Sequence, residues 1–143
     1  MYERILIPLD GSELAEGALD HAEKIAKAFD AEITLFRVVP VMPFLGYMES
    51  LASPSIDEKA EQLAERYLDS FAKELEKKGL KVTTKMKTGQ HVAAQIIDFA
   101  KESGTDLILL FTQGHSRITQ WAWKRVAHKI FTRAETPMFI IHL

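Results

Sequence analysis

The chain has 143 residues, 47% of them apolar and 27% charged, with a net charge of −2. That composition fits one domain (1–143) with an ordinary core, and excludes disordered, collagen-like and disulfide-stapled classes. There is no cysteine, which excludes thiol catalysis, iron–sulfur clusters and Cys-ligated zinc.

Arg4 to Leu9 (RILIPL) predicts a buried strand closed by Asp10-Gly11-Ser12. Glu13 to Phe29 predicts a helix, because Leu14, Ala18, Ala22, Ile25, Ala26 and Phe29 recur at helical spacing, with Ser12 placed as its N-cap. Glu32 to Val39 (EITLFRVV) predicts a second strand. In residues 40–56, Pro40, Pro43, Gly46 and Pro54 interrupt regular structure and predict a long connection. Its apolar residues, among them Met42, Phe44, Leu45 and Tyr47, admit two readings. Either the loop folds back over the protein's own core, or it forms a lid or a surface for a protein partner.

Asp57 to Lys78 carries an unbroken apolar stripe from Ala60 to Leu75 and predicts a helix stopped by Gly79. Leu80 to Lys87 alternates apolar and polar, as a half-exposed edge strand does. Val92 to Ser103 predicts a helix ended by Gly104, and Asp106 to Phe111 a strand covered on both faces. A polar stretch from Thr112 to Thr119 leads into a helix with Val126, Ala127, Ile130, Phe131 and Ala134 on one side. Pro137 to His142 (PMFIIH) predicts a last strand, apolar on both faces and so expected to be covered on both.

Alternating strands and helices imply an α/β fold: a five-stranded parallel doubly wound sheet, Rossmann-like, in the order 3-2-1-4-5 with four helices. Ligands of such sheets sit beyond the carboxyl ends of the strands, where the winding reverses. The loops after strands one and four converge there, bringing Asp10-Gly11-Ser12 toward Thr112 to Ser116. Asp10 can accept a hydrogen bond from a ribose or purine edge, or simply cap the next helix; position alone does not separate these.

Charge is uneven. Residues 1–106 hold 13 Lys/Arg against 19 Asp/Glu, whereas residues 107–143 hold 5 against one. The basic end is either an anion-facing surface or a solvated helix face. The net charge gives no reason to expect nucleic acid as a partner. The apolar runs are too short to cross a membrane, and the opening MYERILIPLDGS is not a secretory signal, so the expected location is the cytoplasm. The five histidines show no metal-ligand spacing, so no metal is expected. His115-Ser116 beside Asp10 raises hydrolytic chemistry, but spacing cannot supply the geometry of a triad. Trp121 and Trp123 read as packing residues.

ILIPLDGSELAEGAL at the start, FRVVP after the second strand, and the end from DLILLFTQGHSR to RAETPMFIIHL resemble the universal stress protein (UspA-like) family, essentially end to end. The resemblance implies a cytoplasmic, usually homodimeric domain linked to stress responses, without dependable catalytic activity. Many members bind ATP or another adenine nucleotide at the switch point. Nucleotide-binding members carry G-x2-G-x9-G-[S/T] after the fourth strand, where bare backbone approaches the phosphates.

Here Gly114 matches the second glycine, Phe111 stands at the first, and Lys124-Arg125 replace the final pair. Pro8, Asp10 and Val38 match positions that resemble the family's adenosine contacts. The adenosine half thus looks retained and the phosphate half rebuilt, so no cofactor is expected, with ATP or another adenine nucleotide as the alternative. In that alternative Lys124 and Arg125, with His115 and Arg117, hold phosphate by side-chain charge. Ser12, Gln113 and Ser116 complete the candidate nucleotide-binding residues. The resemblance also implies a homodimer through Pro137–His142, which would cover an exposed strand edge.

Overall fold

The computed structural model describes residues 1–11, 16–40, 56–112 and 117–142, and of residues 16–18, 56–57 and 117–122 the backbone alone. The elements are β1 (Arg4–Leu9), α1 (Glu16–Phe29), β2 (Glu32–Val39), α2 (Ile56–Lys77), β3 (Lys81–Thr88), α3 (Val92–Glu102), β4 (Leu107–Phe111), α4 (Arg117–Arg133) and β5 (Met138–Ile141). The five strands form one parallel sheet in the order β3-β2-β1-β4-β5. This is the doubly wound, Rossmann-like α/β fold that the alternating pattern predicts. Element ends fall within about a residue of the expected ones where both can be compared, the usual scatter at frayed termini.

Both faces of the central strands are buried, which explains their unbroken apolar runs. Ile5, Ile7, Ile33, Leu35, Leu107 and Leu109 face α1 and α2, meeting Leu19, Ala22, Leu68 and Leu75. Their neighbours Leu6, Phe36, Ile108 and Leu110 turn to α3 and α4, meeting Ile96, Ala100, Ala127 and Ile130. The two-residue alternation of a strand thus feeds two cores from one sequence. Gly79, at φ +85°, ends α2 in the left-handed conformation that glycine adopts without strain, and Leu80 N–H returns to Leu75 O at 3.3 Å.

The edges are treated differently. β3 is half-exposed as expected and presents Lys81, Lys85 and Lys87, charges that discourage further pairing. β5, expected to be covered on both faces, is not: Phe139 is 40% and Ile140 41% exposed. Only one side of this last strand has a neighbour in the sheet, and four residues are too few to be enclosed by the helices beside it. Phe139 leans on Tyr2 at 6.0 Å between ring centroids, and Tyr2 on Phe29 at 5.1 Å. Among the described residues no helix is long and apolar enough to cross a membrane.

Candidate functional site

Pro8 explains why the sheet opens where it does. Glu32 N–H donates to Glu3 O and Asp106 N–H donates to Arg4 O, so odd residues of β1 turn their backbone to β2 and even residues to β4. Pro8 therefore lacks its N–H on the β4 side. There the registered pairs are Ile5 with Leu107 and Leu6 with Ile108, while the β2 ladder continues to Leu9 opposite Arg37. The carboxyl ends of β1 and β4 part at the reversal of winding, the position where open α/β sheets bind ligands.

A cleft of about 160 Å³ lies at this end, bordered by Leu9, Asp10, Arg37, Val38, Pro40, Val92, Trp123 and Val126. Its walls are mainly aliphatic and aromatic, with charge contributed by Asp10 and Arg37. A larger hollow of about 300 Å³, bordered by Lys101, Gly104, Thr105 and Thr136, lies at the opposite ends of the strands. The smaller cleft is the one that coincides with the switch point.

Arg37 anchors the charged side. Its guanidinium lies over the Tyr67 ring, 5.4 Å from the centroid, and against the backbone of Gly11, where a Cβ would overlap Nη1. Gly11 is also at φ +85°, so two independent constraints require glycine. Burial weakens the guanidinium's hold on its proton, and Tyr67 and Asp10 nearby partly restore it. Arg37 Nε is buried without a hydrogen-bond partner. The Tyr67 phenol is pushed well above its ordinary pKa, first by burial and then by Asp10, against the lowering effects of Arg37 and a hydrogen bond from Gly11.

Trp123 closes the opposite wall. Its indole is buried, and Nε1–H donates to Phe111 O at 2.6 Å, pinning α4 to the last residue of β4. Beyond it, Thr112 N–H donates to Ile141 O at 3.1 Å and the Thr112 hydroxyl meets His142 Nδ1 at 2.6 Å, so β4 leaves the cleft tied to β5.

Of the sequence candidates, Asp10 and Val38 meet at the cleft, and Pro8 is buried one turn of the strand beneath it. Lys124 and Arg125 do not join them. Both are exposed and border a separate groove with His128 and Lys129. Ser12, Gln113, Gly114, His115 and Ser116, and the 41–55 part of the proposed partner loop, lie outside the described residues. Arg37, Tyr67 and Trp123 were not legible as site residues: Tyr67 belongs to a helical apolar stripe, and Trp123 is a packing residue that happens also to wall the cleft.

A relative from Methanocaldococcus jannaschii, a universal stress protein, is 33% identical over 141 residues, covering 99% of this chain and 82% of its own. A solved structure of a hypothetical protein, whose biochemical function was assigned from that structure, superposes with a TM-score of 0.82 at 24% identity, over 100% of this chain and 97% of its own. A universal stress protein from Archaeoglobus fulgidus, solved in complex with dAMP, has the same fold at a TM-score of 0.72 and 18% identity, over 98% of each chain. The family model described as the Universal stress protein family matches residues 1–142, and with that match over the sheet, the switch-point cleft and the last strand, the chain belongs to the universal stress protein family.

Proposed function

We propose that this chain is a non-catalytic, cytoplasmic universal stress domain whose switch-point cleft admits a ring-sized group and has lost a tight grip on triphosphate. The observation that carries this reading is the Trp123–Phe111 contact. A triphosphate site of this type needs bare backbone after the fourth strand. Here a phenylalanine occupies the first glycine position, and its carbonyl is engaged by a buried indole. The cleft is also small, about 160 Å³ against roughly 300–1,000 Å³ for ordinary small-molecule sites. The dAMP complex of the Archaeoglobus relative supports a purine-sized occupant. Calorimetric titration with ATP tests the reading.

The same proposal includes a homodimer through β5. Its support is an edge strand with Phe139 and Ile140 exposed on opposite faces, a combination that favours pairing with a second copy.

A second reading, an adenine-nucleotide sensor using side-chain charge, is favoured by one observation. Lys124, Arg125, His128 and Lys129 share a groove, and four nitrogen-bearing side chains on one helix face suit a phosphate chain. That groove does not include Asp10, so a single nucleotide would have to reach around Trp123 to use both.

A further inference from the structure

The cleft offers an acid and a guanidinium on the same rim: Asp10 and Arg37 both border it, at the ends of the paired strands β1 and β2. Opposite them stands the flat Trp123 indole, with Val38 and Val126 beside it. Arg37 is held rather than floating. Its guanidinium is sandwiched by the Tyr67 ring and the Gly11 backbone, so its donors are fixed in direction. A carboxylate has about four acceptor sites, so Asp10 can take a ligand N–H in addition to its contacts in the protein.

A purine ring presents its six-position and N1 side by side, and the two common patterns are opposites. A 6-aminopurine offers an amine donor next to a bare acceptor nitrogen. Against Arg37 and Asp10 that sets donor toward donor and acceptor toward acceptor. A 6-oxopurine offers a carbonyl acceptor next to an N–H donor. Guanidinium to the six-oxygen and N7 is the commonest specific base contact made by proteins, and the neighbouring N–H suits a carboxylate. An arginine that is half-buried with Nε unpartnered gains more from a ligand oxygen than a hydrated one would.

Resting on the reading that the cleft admits a ring, we propose that Arg37 is a specificity-determining residue which, paired with Asp10, selects a 6-oxopurine nucleoside over a 6-aminopurine one. Trp123 supplies the stacking wall. The indifference of the cleft to phosphate makes the base edge the part of the ligand that is read.

The test is a calorimetric titration of the whole chain with inosine and adenosine, a matched pair differing at this edge and carrying no phosphate. Inosine is expected to bind about tenfold tighter or more, the effect of one charge-assisted hydrogen bond. In Arg37→Met, which keeps length and removes the donors, the preference is expected to vanish, with thermal melting confirming the fold. Equal affinities, or a preference for adenosine, in the unmodified protein overturn the selection while leaving the ring-sized cleft intact. Binding of neither nucleoside at millimolar concentration overturns both. The unmodified protein alone decides between these outcomes if the variant does not fold.

Discussion

Trp123 Nε1–H donates to the carbonyl of Phe111 at 2.6 Å, joining the wall of the switch-point cleft to the residue at the family's first phosphate-loop glycine position. The two departures from the phosphate-binding pattern are therefore coupled. A side chain at 111 ends a fully buried strand, and the indole that covers its carbonyl fills space from the side of α4.

Trp123→Phe keeps most of the apolar bulk and removes the donor. It is expected to lower stability by about 1–2 kcal/mol, because the Phe111 carbonyl loses a buried partner. Urea unfolding followed by circular dichroism reads this, and an unchanged midpoint would show that the contact contributes nothing.

Gly11→Ala meets two obstacles, the left-handed φ and the Arg37 guanidinium. The backbone conformation alone costs roughly 1–2 kcal/mol for a residue with a Cβ. In an Arg37→Ala background the overlap is gone and only the conformational part remains. A double-mutant cycle is expected to show that Gly11→Ala is less damaging there; strict additivity would mean that the guanidinium moves aside freely.

Tyr67 makes stability pH-dependent at the alkaline end. Its phenol is raised above the ordinary value of 10.0 by burial first and by Asp10 second. Below pH 10 the phenol is neutral in the folded and unfolded chains alike. Above it the unfolded chain releases the proton and the folded one keeps it, so stability falls as pH rises from about 10 toward the raised value. Urea midpoints between pH 8 and 11 are expected to fall less steeply in Tyr67→Phe than in the unmodified protein. Parallel slopes would mean that the phenol is not held neutral.

Ile140→Lys tests the edge strand. Ile140 is 41% exposed on β5, so a lysine there can reach water with little loss of monomer stability. Light scattering is expected to find a dimer for the unmodified protein and a monomer for the variant, with similar thermal melting of each protomer. A monomer in both cases would remove the proposed interface.

The sheet was legible because each strand is a short buried run between turn residues, and burial on both faces leaves no polar interruption to confuse the reading. Pro8, Asp10 and Val38 were legible as well, since they sit at strand ends, where the doubly wound topology fixes their neighbours in advance. Arg37 was not. A charged residue inside EITLFRVV reads as one turned to solvent, and only the packing of α2 places Tyr67 beneath its guanidinium. Trp123 lies far in sequence from Asp10 and Val38, and its meeting with them depends on the angle of α4. The exposure of β5 was missed for a related reason: Met138 to Ile141 is apolar on both sides, and the sequence of one chain does not say what lies beyond a strand at the edge.

The most direct measurement is calorimetric titration of nucleotide-stripped protein with ATP in the presence of magnesium. A cleft walled by Trp123 and Phe111 predicts no binding tighter than roughly 10 μM, about −7 kcal/mol. Tighter binding, lost in Lys124→Ala or Asp10→Ala, would contradict the account and make the basic groove on α4 a working phosphate site.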